Sequence, residues 1–232
     1  PITLMADWNP ATLAQEVEKI QQEYELVGLS VALVSPEQHF SHAVGLADKA
    51  KAEVLTPSYR MLAASIGKMF VAANALKLVE AGKLQLDTPV ATWFADEPRW
   101  QTLANHQKIT LRQLLTHRSG LANHVENPAF QTDFARLASQ PDPNPLNWVF
   151  DYLADQPALA KPDQAWHYSD SGYILAAYVM EKADGRGIFR QIDARFLQPL
   201  QLTQTEASNH RELANLANGY LAKDNPMGLP QT

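Results

Sequence analysis

The spacing of apolar residues divides the chain into a short sheet-forming start and a long helical middle. Leu13, Val17, Ile20 and Tyr24 recur at helical intervals after Asn9-Pro10, an N-cap followed by proline at the first helical position. Gly28 is the expected stop of this helix. Leu29–Val34 is a short apolar run, Ser35-Pro36-Glu37 a turn and Phe40–Leu46 a second run, which together predict an antiparallel β-hairpin. From Ser65 the period becomes helical, with Phe70, Ala73, Leu76 and Val79 on one face and Gly82 at the end. Ile109–Leu115 predicts a short helix with Thr110 as N-cap. The stretch from Asn123 to Asp163 is rich in Pro, Asn, Asp and Gln, with amphipathic pieces near Phe130–Leu137 and Leu146–Leu153. Ser171–Ala183 predicts a helix ended by Asp184-Gly185, and Ile188–Phe196 another stopped by Pro199. Leu216–Leu221 predicts a return to strand.

A hairpin alone is not a stable sheet. The pattern therefore predicts an α+β chain in three parts. Residues 1–60 hold an N-terminal helix and the first strands of a sheet domain, 61–205 a mainly helical domain, and 206–232 a return towards the sheet. The sheet is short of strands, so the expectation is a truncated chain or a second fragment supplying the missing C-terminal segment. Pro1 in place of Met points to a processed or trimmed chain, and Pro1–Met5 has neither the basic nor the apolar region of a leader peptide.

Composition narrows the chemistry. With 46% hydrophobic and 19% charged residues, 232 residues are enough to fill a core, which excludes disorder as the main state. A net charge of −6 without any Lys/Arg run argues against nucleic acid as a partner. The absence of cysteine removes disulfides, thiolate nucleophiles and Cys-ligated zinc. His39, His42, His106, His117, His124, His167 and His210 show neither His-x-x-x-His nor His-Glu-x-x-His spacing, so no metal or other cofactor is expected. No apolar run is long enough to cross a bilayer, and Met69–Val79 is interrupted by Asn74 and Lys77.

Two short motifs carry candidate chemistry. In Ser65-Ile66-Gly67-Lys68, helical spacing sets the lysine amine beside the serine hydroxyl, and a serine is a weak nucleophile until a neighbouring group takes its proton. Serine is also a common N-cap, so the tetrapeptide alone does not decide. In Tyr168-Ser169-Asp170, a tyrosine near a lysine ammonium can serve as a proton relay, although a tyrosine packed at a helix start fits the same residues. His167 is a candidate for tuning a cleft beside Tyr168, with packing near Trp166 as its competing role. Trp93, Trp100, Trp148 and Trp166 are expected in core and interdomain packing before any cleft.

In order and spacing these motifs resemble the serine β-lactamase-related family of class C β-lactamases, D-alanyl-D-alanine carboxypeptidases and related esterases. The stretches Gly82-Lys83-Leu84-Gln85-Leu86-Asp87-Thr88-Pro89-Val90 and Leu114-Leu115-Thr116-His117-Arg118-Ser119-Gly120-Leu121 are landmarks of that family, and the likeness runs from about Gly28 to Tyr220. The resemblance implies a β-lactamase/transpeptidase-like fold, an antiparallel sheet domain packed with a mainly helical domain. It implies Ser65 as the acylated nucleophile, Lys68 as its partner, Tyr168 as the tyrosine of the Tyr-x-Asn motif, and the Ser65 backbone N–H as one oxyanion donor. The implied substrate is a β-lactam, a D-alanyl peptide of peptidoglycan or a small ester, and the implied location is periplasmic or extracellular.

Three departures bear on that expectation. Asp170 stands where Asn is usual, so an amide donor is replaced by an anion placed to hold Lys68 protonated. Asp163 follows Pro162 where glycine is usual, a change expected to touch only the turn. The family's last motif, Lys-Thr-Gly or His-x-Gly, is absent; Arg118-Ser119-Gly120 mimics it but precedes Tyr168. The expectation is therefore that the second oxyanion donor is missing from these 232 residues, which would leave them unstable or inactive alone. The competing reading is a binding or scaffold protein that kept the fold without the catalysis.

Overall fold

The computed structural model of the chain describes residues 8–141, 143–208 and 213–221. Pro1–Met5 and His210 lie outside them. Contacts divide the chain into two compact units, residues 1–63 with 208–232, and 64–207.

The first unit opens with helix α1, Pro10–Glu23, whose Asn9 Oδ1 accepts from the backbone N–H groups of Ala11 and Thr12 at 2.9 and 3.2 Å. This is the cap expected from Asn9-Pro10. The helix ends before the predicted stop, because Glu25 turns the chain at φ +49°. Gly28 instead begins strand β1, Gly28–Val34, where a Cβ would stand 2.5 Å from the Leu46 carbonyl oxygen. Strand β1 pairs antiparallel with β2, His39–Asp48, in a register that sets Leu33 opposite Phe40, as the hairpin reading expected. A two-residue strand, β3 (Glu53–Val54), extends the sheet in the order β1-β2-β3. The sheet is open and antiparallel, and Leu216–Leu221 does not add a strand to it. A single parallel bridge joins Leu216 to Arg60, with Arg60 N–H donating to Asn215 and Ala217 N–H donating to Arg60.

The second unit is helical. Helix α2 covers Gly67–Glu80, α3 Leu111–Leu115, α4 Pro128–Ala138, α5 Pro145–Leu153, α6 Asp170–Asp184 and α7 Ile188–Ile192. The core is built from Leu78, Phe94, Ile109, Leu114, Phe150 and Leu175, each at most 2% exposed. Fully burying such side chains contributes about 1.5–3 kcal/mol apiece. Thr110 closes a capping box with Gln113, so α3 starts where its sequence indicates. Gly185, at φ +75°, ends α6 in the left-handed conformation that favours glycine. Helix α7 is shorter than the predicted Ile188–Phe196 run, because Asp193–Leu197 widens into a π-helical turn.

The inward face of α2 differs from the one apolarity alone predicts. Leu76 is 51% exposed, while Asn74, Ala75 and Leu78 are fully buried. Asn74 turns inward because its amide is satisfied there. Its Nδ2 donates to Gln191 Oε1 at 2.9 Å, and its Oδ1 accepts from Arg195 at 2.8 Å. Among the described residues no helix is long and apolar enough to cross a membrane, and no cluster of His, Asp and Glu has metal-binding geometry.

Candidate active site

Three elements of the helical unit bring the sequence-predicted residues together. Ser65 lies in the 3-10 turn Ala64–Ile66 that leads into α2, and Ala64 takes a left-handed backbone at φ +46° just before it. A non-glycine residue in that region is uncommon and stores backbone strain. One turn further, Lys68 Nζ donates to Ser65 Oγ at 3.2 Å. From the loop just before α6, Tyr168 OH donates to the same Oγ at 2.7 Å. Ser65 Oγ thus accepts from both groups that the two motifs offer.

Asp170, the first residue of α6, takes Lys68 in an ion pair at 2.5 Å. Lys68 is 18% exposed, and its ammonium also lies 5.0 Å from the centre of the Tyr168 ring and 5.6 Å from that of Tyr173. Burial pushes its pKa down, but the Asp170 carboxylate and the Tyr168 hydroxyl more than offset this and leave it above the ordinary lysine value. The ion pair with Asp170 thus favours the ammonium form of Lys68.

Two residues that the motif reading passed over complete the setting. Asn123 Oδ1 accepts the Asp170 backbone N–H at 3.1 Å, and its Nδ2 donates to Asp170 Oδ2 at 3.4 Å, so both carboxylate oxygens are engaged. His117 packs its ring 4.5 Å from that of Tyr168 and accepts the Ser169 N–H on Nδ1 at 3.1 Å. Nothing in residue spacing predicted either contact, since each spans 47 or more positions; only the family landmark around His117 pointed to the segment. The His167 side chain is not part of the convergence. Its backbone N–H donates to the His117 carbonyl at 2.9 Å. Trp166 is 59% exposed beside this group, whereas Trp100 is buried and stacked on Phe94.

The Asp163 departure reaches beyond its turn. Asp163 takes φ +65°, the conformation a glycine would supply, and its Oδ2 accepts from the Gln113 side chain at 2.6 Å. That bond ties the loop to α3. Gly120 fixes the neighbouring strand of loop, because a Cβ there would fall 2.0 Å from the Ala160 carbonyl oxygen.

Beneath the site, His124 is 2% exposed. Its backbone N–H donates to Ser171 Oγ at 2.9 Å, and Nδ1 pairs with the same hydroxyl at 2.8 Å. Burial, opposed only in part by Asp170, lowers the His124 pKa to about 4. The folded state therefore resists a proton that the unfolded chain takes up near 6.5. This contribution to stability is complete above pH 6.5 and is lost as pH falls towards 4, a total of about 3 kcal/mol. Urea unfolding at neutral and acid pH should show that loss. A His124→Gln variant, which cannot titrate, should show a shallower dependence; equal slopes in the two proteins would contradict the assignment.

The family model for beta-lactamase matches residues 13–230. The chain belongs to the beta-lactamase family. Esterase EstB of Burkholderia gladioli is 32% identical over 203 residues, which are 83% of this chain and 51% of that protein. A penicillin-binding protein of Bacillus subtilis (strain 168) is 25% identical over 210 residues, 88% of this chain and 44% of that protein. Among solved structures, D-amino acid amidase from Ochrobactrum anthropi SV3 complexed with L-phenylalanine superposes with a TM-score of 0.77 at 26% identity. It covers 94% of this chain and 58% of its own. This beta-lactamase family member thus spans about half the length of the curated relatives it matches. Its fold is that of the β-lactamase/transpeptidase group, α+β with an open antiparallel sheet in the described residues.

Proposed function

We propose that the protein is a serine hydrolase that acts through a covalent acyl-serine at Ser65. The observation that carries this is the convergence of Lys68 Nζ and Tyr168 OH on Ser65 Oγ, at 3.2 and 2.7 Å. A hydroxyl flanked by a cation and a proton relay is an activated nucleophile. In this reading Lys68, held as an ammonium by Asp170, stabilises the alkoxide that develops on Ser65. Tyr168 takes the Ser65 proton as it passes its own to the leaving group. The Ser65 backbone N–H donates to the oxyanion, and water releases the acyl group.

The relatives named for esterase, amidase and penicillin-binding activity support a substrate with an electrophilic carbonyl. We take the class to be a small ester, a D-amino acid amide or peptide, or a β-lactam. One test is turnover of a panel: p-nitrophenyl acetate, D-phenylalanine amide and nitrocefin. The expected outcome is hydrolysis of at least one compound by the wild type, lost in Ser65→Ala with an unchanged melting temperature. Wild-type rates retained by Ser65→Ala would remove this serine as the nucleophile. The Lys68–Asp170 ion pair also favours a second reading, a binding protein in which Lys68 is a fixed charge; reversible binding of the same compounds without turnover would establish it.

A further inference from the structure

One residue holds the backbone on both sides of Tyr168. The His117 carbonyl accepts the His167 N–H at 2.9 Å, its Nδ1 accepts the Ser169 N–H at 3.1 Å, and its ring packs against Tyr168 between them. An N–H that donates to Nδ1 requires that nitrogen to be unprotonated, so the ring is neutral with its proton on Nε2. His117 is itself fixed by a left-handed backbone at φ +59°, and its ring meets Trp166 edge-on at 5.8 Å and Tyr173 at 5.2 Å. On this side the His117 ring and its Nδ1 acceptor flank Tyr168, with Trp166 as the further ring neighbour at 6.3 Å.

Protonation would undo the arrangement in two ways. A proton on Nδ1 faces the Ser169 N–H donor to donor, which breaks that bond. It also adds a positive charge to a group that already contains the Lys68 ammonium. The charged and titratable groups around the ring are Lys68 from α2, Tyr168 from the loop before α6, and Asp170 and Tyr173 from α6. Burial and the Lys68 charge keep the His117 pKa below its ordinary 6.5, and Asp170 opposes them.

We propose that His117 is the positioning residue for Tyr168, and that its protonation releases Tyr168 from Ser65 and sets the acid limit of acylation. The inference rests on the reading of Ser65 as nucleophile, but its physical core, the dependence of Tyr168 on the neutral His117 ring, does not.

The test compares wild type with His117→Asn, whose Oδ1 replaces the acceptor without titrating, and His117→Phe, which keeps a ring face and deletes the acceptor. The rate of covalent labelling by a fluorophosphonate is followed from about pH 4.5 to 8 and separated into probe binding and bond formation. The wild-type rate of bond formation should fall with a midpoint below pH 6.5. That limb should vanish in His117→Asn. His117→Phe should form the bond about 10-fold or more slowly at neutral pH with probe binding unchanged. An acid limb of the same midpoint in His117→Asn would assign it to another group and overturn the proposal, as would wild-type bond formation in His117→Phe.

A second readout needs no activity and no variant. In an NMR titration of the wild-type protein, the His117 ring should carry its proton on Nε2, and the Tyr168 ring resonances should move with the His117 midpoint. Tyr168 resonances that stay fixed while His117 titrates would overturn the proposal even if a variant failed to fold. If the wild type is not labelled at all, the nucleophile assignment fails, and this titration still decides the role of His117.

Discussion

Lys68→Ala should slow acylation at Ser65 by about 10³-fold while shifting the melting temperature little. The side chain is 18% exposed and supplies the only cation that the described residues bring to Ser65 Oγ. Its loss removes the charge that favours the alkoxide and the cation beneath the Tyr168 ring, so two supports for the same proton transfer go at once. Residues that act as a unit are not additive, so Lys68→Ala combined with Tyr168→Phe should cost little more than Lys68→Ala alone. Asp170, 30% exposed and still bonded to Asn123, tolerates the loss of its partner, which keeps the stability effect small. Fluorophosphonate labelling rates of the single and double variants check this. Additive losses, or a Lys68→Ala rate within a few-fold of wild type, would show that Lys68 is a structural cation.

The largest effect on stability is expected far from Ser65, at the end of α6. The Asp184 side chain is 1% exposed and accepts from Lys83, Arg186 and Arg195 at 2.7, 2.7 and 2.8 Å. Arg195 continues to Asn74 and Gln191, so this carboxylate anchors the polar contacts that turn Asn74 of α2 inward. Burial opposes its charge, but the three cations more than offset that and hold its carboxyl well below the usual carboxylate range. A group whose folded pKa is depressed stabilises fully above its unfolded value and loses that contribution only as pH falls through the folded one. Asp184 therefore remains charged at pH values where His124 has already begun to cost stability. Asp184→Ala should destabilise by about 3–5 kcal/mol, because it strands Arg195, 19% exposed, without its anion. For a chain of this length that lowers the melting temperature by roughly 10 °C. A drop of only a degree or two would show that water and the remaining partners satisfy the arginine.

Three helix boundaries and the first hairpin are legible from local sequence. Asn9-Pro10, Thr110 and Asp184-Gly185 mark helix ends through chemistry confined to one turn, and the β1–β2 hairpin follows from the two short apolar runs around Ser35-Pro36-Glu37. The spacing of Ser65 and Lys68 fixes their contact, since both lie on one turn of chain. What spacing does not encode is contact across the fold. Tyr168 reaches Ser65 over 103 positions, a pairing that only the family resemblance implies. His117 and Asn123 were passed over because a histidine in a loop and an asparagine near prolines carry no periodic signal. The buried face of α2 is not its apolar one, because periodicity places Leu76, and not Asn74, on the inward face. The reverse holds once Gln191 and Arg195 satisfy the Asn74 amide.

The central claim, that Ser65 is an activated nucleophile, is tested most directly by intact-mass measurement after incubation with a fluorophosphonate, followed by peptide mapping. The account predicts one adduct per chain, located on Ser65 and absent from Ser65→Ala. A wild-type chain that gains no mass, or an adduct that persists in Ser65→Ala, would contradict it.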